Sequence, residues 1–239
     1  MPLGHGQASN NLLLKAIRQE DLIELKRHFL MVDLNLHEVL QEAHKPVNFL
    51  YFPTSGVCSI IALGTDGARI EAGLIGREGV VGLSVALAVD EAPFDVVVQV
   101  PGRAMRISRT EFVRILEVHP EFRKIILRYA YVFMVQTAQT ALANGKLTIQ
   151  QRLARWLLMC QDRVDAPEFV MTHQFLSVML SVRRPGVTTA LQTLESKAAI
   201  KSMRGKIRIL DRAMLLQFAK SAYGEPEREY QRLLSVKKP

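Results

Sequence analysis

The stretch MTHQFLSVMLSVRRPGVTTALQTLESKAAIKSMRGKIRILD, residues 171–211, decides the fold of the C-terminal part of this chain. Leu176, Met179, Leu180, Val182, Val187, Leu191 and Leu194 recur at helical spacing on either side of a short break. The spacing predicts a short helix, a three-residue turn and a second helix that opens with Arg183, Arg184 and Pro185. Proline suits the first turn of a helix, where its missing N–H has no partner to lose. A two-stranded ribbon then turns at Arg204-Gly205. Residues 183–212 hold eight Lys/Arg and two Asp/Glu. A helix-turn-helix with a basic leading edge and a basic ribbon points to duplex DNA. A helical hairpin with a merely solvated basic face would leave both the ribbon and the charge placement as coincidence.

This pattern assigns roles to individual residues. Arg183, Arg184, Gly186, Thr188 and Thr189 are expected to face outward at the N-terminal end of the second helix, where a major-groove helix meets base edges. Arg184 suits bidentate pairing with a guanine, a contact that discriminates by about 1–3 kcal/mol. Thr172, His173 and Gln174 open the first helix and suit phosphate contacts, since helix N-termini favour anions. Arg204, Lys206 and Arg208 on the ribbon are expected to grip the adjacent backbone.

Upstream, Thr148 and Gln151 form a capping-box pattern that starts a helix carrying Leu153, Trp156, Leu157 and Cys160 on one face. That helix is expected to end at Asp165-Ala166-Pro167. His119-Pro120-Glu121 starts a longer helix of about 25 residues, with a seam at Phe122, Ile125, Ile126, Tyr129, Val132, Phe133, Gln136, Thr140 and Ala143. A second copy of the chain is the economical partner for such a seam. Packing on the chain's own strands is the alternative. Asn144-Gly145 is the expected hinge.

From about Leu30 to Ser108 the text changes to short β-branched runs divided by Gly, Pro, Asn and Asp, with a hairpin signal at Asp66-Gly67. This indicates an antiparallel sandwich or barrel. Residues 12–28 read as one or two short helices, residues 110–117 as another, and residues 1–12 as disordered. The fold class is therefore α+β. The division is a tail with short helices (1–27), a β-barrel (28–109), a dimerisation helix with hinge (110–147), a winged helix-turn-helix (148–220) and a C-terminal tail (221–239).

The net charge is +8, and it is unevenly placed. Residues 1–147 hold 15 basic and 15 acidic side chains, whereas residues 148–239 hold 16 and 8. The whole excess accompanies the helix-turn-helix, as a polyanionic partner requires. Two cysteines, Cys58 and Cys160, are too few for a disulfide scaffold or a four-thiolate cluster and read as reduced core thiols. No apolar run approaches a membrane span. The opening MPLGHGQASNN has neither the basic nor the apolar region of a signal peptide, so a cytoplasmic location is expected. Nucleophile-elbow, H-E-x-x-H, Walker and C-x-x-C motifs are absent, and no catalytic site is expected. Glycines 73, 76, 79 and 82 lack the spacing and the strand–helix context of a dinucleotide loop and read as barrel turns.

The order of parts resembles the Crp/Fnr superfamily of bacterial transcription regulators. Residues 171–200 look like its DNA-binding motif, QQRLARWLLMCQDRV like the preceding helix, and LIGREGVVG like the start of the cyclic-nucleotide cassette. The resemblance implies a jelly-roll barrel of the cyclic-nucleotide-binding type, a dimerisation helix and a winged helix. It further implies a homodimer reading a two-fold-symmetric duplex site, with RNA polymerase as the expected protein partner. It places effector binding at Gly76, Arg77 and Glu78.

The chain departs from the cyclic-AMP-binding members at both cassette elements. Their Gly-Glu pair is replaced by Gly76-Arg77, so Glu78 serves only if the loop shifts by one residue. Glu91-Ala92-Pro93-Phe94 stands where the phosphate-clamping arginine falls, and no arginine lies between Arg77 and Arg103. A phosphodiester buried without a cation is strongly unfavourable, so ordinary cyclic AMP binding is expected to be lost. No cofactor is expected. Residues 1–57 hold no cysteine for an iron–sulfur cluster, and Pro2, His5, His28, His37 and His44 read as surface or satisfied residues rather than haem ligands. On the recognition helix Pro185 and Thr189 replace the cyclic-AMP receptor's acidic residue and second arginine, which implies a different operator. Ser181 stands where the turn commonly has glycine. The alternative function is a small-molecule-sensing module whose winged helix contacts protein.

Overall fold

A computed structural model describes residues 10–17, 19–164 and 166–234. The expected disorder of residues 1–12 is corrected at its end, where Asn11 is buried, donates to Pro53 O and Gly79 O at 2.9 Å and caps the helix that starts at Leu12. Residues 1–9, with Pro2 and His5 among them, Asp165 and the last five residues lie outside the described residues. Two short helices, α1 (Leu12–Lys15) and α2 (Gln19–Lys26), precede the strands. An antiparallel sheet follows, built from β1 (Leu30–Leu34), β2 (Val39–Gln41), β3 (Phe49–Leu63), β4 (Arg69–Ile75) and β5 (Phe94–Ser108). Its order is β1-β5-β3-β4, with β2 also on β5. The two 15-residue strands β3 and β5 bend at register shifts between Pro53 and Cys58, which roll the sheet around its own core. The β3–β4 hairpin turns at Asp66-Gly67, where Gly67 has φ +82°.

The strands end at Ser108, whose side chain caps α3 (Arg109–Val118). The long helix α4 (Pro120–Lys146) follows. Phe29, Phe52, Phe112 and Phe122, with ring centroids 5.4–6.3 Å apart, fasten α3 and α4 to the sheet.

The winged part consists of α5 (Ile149–Gln161), β6 (Glu168–Val170), α6 (His173–Met179), α7 (Arg184–Ser196), β7 (Ile200–Met203), β8 (Lys206–Ile209) and α8 (Arg212–Ala219). The capping box at Thr148 and Gln151 is formed. The ribbon has three strands rather than two, in the order β6-β8-β7. Its third strand, Glu168–Val170, is too short to show any period in sequence.

Three further expectations are corrected. The helix α4 runs unbroken through Asn144-Gly145 and ends at Leu147, so the joint between the two halves is Leu147-Thr148. The tail is helical: α9 (Glu225–Leu234) lies along α4, with Leu234 buried in the same cluster as Phe122 and Ile126 and Arg128 Nη1 donating to Leu233 O at 3.1 Å.

The seam assigned to dimerisation faces inward in a single chain. Phe122, Ile126, Tyr129, Val132 and Gln136 are buried on the chain's own sheet and α9, while Ile125, Phe133 and Thr140 are half-buried. Gln136 shows the cause. Its Oε1 accepts from Leu74 N at 2.7 Å and its Nε2 donates to Leu74 O at 3.2 Å, so it pairs with the free edge of β4 as a strand would. Thr140 Oγ1 donates to Gln136 O and accepts from Arg155 of α5. A stripe so engaged is not free to meet another molecule.

Candidate nucleic-acid interface and sensor cavity

The helix-turn-helix places most of its sequence-assigned residues at one surface. Thr172 caps α6, its Oγ1 accepting from Phe175 N at 3.1 Å. Leu176, Met179, Val187, Ala190, Leu191 and Leu194 pack α6 against α7 and α5. Arg183, Arg184, Pro185 and Thr189 are left exposed at the N-terminal end of α7. Ser181 sits in the turn at φ +48°.

Contacts between the two helices hold the exposed groups in place. Gln174 Oε1 accepts from Arg184 Nε, which ties the exposed guanidinium to α6 and leaves its terminal nitrogens without a hydrogen bond among the described residues. His173 Nδ1 lies 3.3 Å from Thr188 Oγ1, and the hydroxyls of Thr188 and Thr189 donate to the backbone one turn earlier. Gly186 is the exception among the assigned residues. A Cβ there points at Ile149 Cδ1, 3.3 Å away, so Gly186 faces α5 and not the outer surface.

The wing departs from expectation in its charge balance. Glu168 on β6 accepts from Lys206 at 3.1 Å and from Arg208 at 2.7 Å, and these bonds hold its carboxyl below the usual carboxylate range. Lys206 and Arg208 are thus partly neutralised, while Arg204 at the turn makes no ion pair among the described residues. Glu168 was missed because its partners lie 38 and 40 residues away in sequence.

The winged part is docked on the sheet. Val57, Ile61, Leu74 and Val100 of the sheet share one buried cluster with Trp156, Leu157 and Cys160 of α5. Trp156 Nε1 donates to Glu71 Oε1 at 2.8 Å, and Ser59 Oγ donates to Glu71 Oε2 at 2.6 Å. Burial pushes the Glu71 carboxyl up to about 7 despite both bonds.

Gly76, Arg77 and Glu78, the residues assigned to an effector, lie on this junction. Glu78 Oε1 accepts from Arg163 Nε at 2.8 Å, and Arg163 is 7 % exposed. Gly76 is needed there because a Cβ would come within 2.7 Å of the Arg163 side chain. Gly79 likewise leaves room for the Tyr129 hydroxyl, which would lie 2.0 Å from a Cβ. The buried Arg163 guanidinium requires an opposite charge, and Glu78 supplies it. Arg77 and Glu78 border a space of about 460 Å³ between sheet, α4, the end of α5 and α9.

A separate cavity of about 550 Å³ lies between the sheet, the 3-10 turn Leu83–Leu87 and α4. Glu91-Ala92-Pro93-Phe94 lines it, and no Lys, Arg or His does so among the described residues.

Two family models match the chain in this order: the Cyclic nucleotide-binding domain over residues 31–119 and the Crp-like helix-turn-helix domain over residues 151–218. Together they account for more than half of the chain. The chain belongs to the Crp/Fnr superfamily of transcription regulators. It is not an enzyme.

Solved structures of this superfamily share its fold. FixK2 from Bradyrhizobium japonicum is 16 % identical, covering 81 % of this chain and 98 % of its own, with a TM-score of 0.69. TTHB099, a CRP-family transcriptional regulator from Thermus thermophilus, is 17 % identical, covering 81 % and 98 %, at 0.67. The c-di-GMP-responsive global regulator CLP from Xanthomonas campestris is 16 % identical, covering 81 % and 100 %, at 0.66. At these identities the likeness speaks for the fold. No curated protein matches the chain in sequence. No helix of the described residues is long and apolar enough to cross a membrane.

Proposed function

We propose that this regulator acts in the cytoplasm as a homodimer that reads a two-fold-symmetric duplex site through α7. The observation that carries the reading is Arg184, exposed at the start of α7 and steered by Gln174. Its partner surface is the outer stripe of α4, in place of the inward seam. Leu127, Tyr131, Met134 and Leu142 are 40–60 % exposed there and recur at helical spacing. Two such chains joined along α4 would set their recognition helices roughly 34 Å apart, one turn of B-DNA. RNA polymerase is the protein partner this arrangement would serve.

Cyclic AMP is not the effector in this reading, because the cavity offers its phosphate no cation. Calorimetry is expected to find no micromolar binding of cyclic AMP.

Selection of sites from a random duplex pool tests the DNA reading. Arg184→Ala is expected to lose about 1–3 kcal/mol of preference at one base pair per half-site. Arg204→Ala is expected to weaken all duplexes alike and to lower the salt slope by about one. Equal losses on specific and random DNA for both variants would refute these roles. Absence of any salt-dependent binding would favour a winged helix that contacts protein. Tyr131→Glu with Met134→Glu is expected to yield monomers in sedimentation.

A further inference from the structure

Helix α9 lies beyond residue 218, where the helix-turn-helix match ends, and it touches both halves of the molecule. Its root is fastened to the winged part. Arg155 of α5, 6 % exposed, donates from Nε to Ala222 O at 2.9 Å and from Nη2 to Thr140 Oγ1 at 3.2 Å. The Tyr223 hydroxyl donates to Asp162 Oδ2 and accepts from Arg212 Nη2 at 2.8 Å. Arg212 also meets Asp162 Oδ1 at 2.8 Å. Gly224, at φ +111°, then turns the chain into α9.

The far end of α9 grips α4. Leu234 is buried, and Tyr230 and Leu233 are half-buried, against the cluster that holds Phe122, Ile126, Tyr129 and Val132. Arg128 Nη1 donates to Leu233 O at 3.1 Å. The covalent joint between the halves is only Leu147-Thr148, two extended residues between α4 and α5. At about 1.5 Å of rise per residue, Arg128 lies about 28 Å from that joint along α4, and Trp156 about 12 Å from it along α5. A turn of about 10° about the joint shifts the junction near Trp156 by about 2 Å and the grip near Arg128 by about 5 Å, and apolar contact is lost beyond about 4.5 Å. The grip of α9 is therefore the attachment most sensitive to a turn of the winged part.

We propose that α9 is a clasp that holds the winged part at one orientation on α4 and thereby sets the spacing between half-sites that the paired chains accept. The inference rests on the reading of the chain as a dimeric DNA reader. With α4 joining the copies, the orientation of each winged part fixes the distance between the two α7 helices, and one base pair of spacing is only about 3.4 Å.

Two variants of the full-length chain release opposite ends of the clasp. Tyr230→Ser with Leu234→Asp lifts the far end, and Tyr223→Ala loosens the root. Binding is measured on duplexes that carry the selected half-sites at spacings from two base pairs fewer to two more. The parent chain is expected to lose about tenfold in affinity at one base pair more or less, and both variants only about twofold. Base preference within a half-site should stay as in the parent, which also shows that the winged part is folded. Arg228→Ala, on the exposed face of α9, should keep the parent's spacing profile.

Small-angle X-ray scattering without DNA is the second readout, and both variants are expected to show a larger radius of gyration than the parent. A parent-like spacing profile in both variants, or unchanged scattering in both, would overturn the clasp. Absence of any half-site selection by the parent defeats the dimeric DNA reading instead, while the scattering still decides whether α9 holds the two halves together.

Discussion

Two segments of this chain carry the residue types of known motifs, and the fold treats them oppositely. In residues 172–189 the basic and hydroxyl side chains stay at the surface, because the apolar positions between them are enough to bury one face of each helix. In residues 76–79 the polar side chains turn toward a neighbour: Glu78 meets Arg163, just past the end of α5, and Gly76 lies beneath that arginine. The difference is one of context. A helix-turn-helix is a local structure whose outward residues follow from period alone. A loop at a domain junction is directed by whichever charge its neighbour has buried.

The largest test of this contrast is to break the junction. Glu78→Ala leaves the Arg163 guanidinium buried without its counter-ion, and is expected to cost about 3 kcal/mol. Trp156, the single tryptophan, lies at the same junction and reports it by fluorescence during urea unfolding. A double replacement, Glu78→Met with Arg163→Met, should restore most of the loss, since apolar side chains of similar size fit a buried pair's place. Alanine at Glu78 with an unchanged urea midpoint would mean that water already solvates the pair.

The junction also predicts a pH dependence. Glu71 titrates near 7 in the folded protein against the usual 4.5, so the folded state holds its proton more tightly than the unfolded chain does. Its contribution is complete below about pH 4.5 and falls away as pH rises to about 7, by up to about 3 kcal/mol. Its neighbours are Ser59 on β3 and Trp156, Arg155 and Arg163 on the α5 side. Glu71→Gln keeps one acceptor oxygen for Trp156 Nε1, turns an amide N–H to the Ser59 hydroxyl and does not titrate, so it is expected to flatten the stability profile between these pH values. A profile for Glu71→Gln as steep as that of the parent chain would assign the pH dependence to other groups.

The sequence made some parts legible and hid others for physical reasons. Elements with strong local signals were readable: the capping box at Thr148, the Ser108 strand end, the Asp66-Gly67 hairpin and both helices around Ser181. The seam on α4 was found as a stripe but given the wrong partner, because periodicity reveals that a face is buried and not what covers it. Helix α9 was overlooked although Pro226, Tyr230 and Leu234 recur every four residues and Arg228 and Arg232 each pair three residues back. Its signal lay in charges and one tyrosine rather than in an aliphatic run. The pairings Glu78–Arg163, Glu71–Trp156 and Glu168–Arg208 had no such signal, since each joins elements at least 40 residues apart.

The smallest effect belongs to the recognition side of the comparison. Ser181 holds φ +48° in the turn between α6 and α7, a conformation that costs a residue with a Cβ about 1 kcal/mol. Ser181→Gly removes that strain but gives the unfolded chain more freedom, which offsets part of the gain. The expected net change is a stabilisation of about 0.5 kcal/mol, read as a slightly later urea midpoint, with the α7 surface unaltered. DNA preference should therefore stay as it is while stability rises. A change in base preference would show that the angle between α6 and α7 is set by the strained serine, and that the outward residues of this segment are not fixed by period alone.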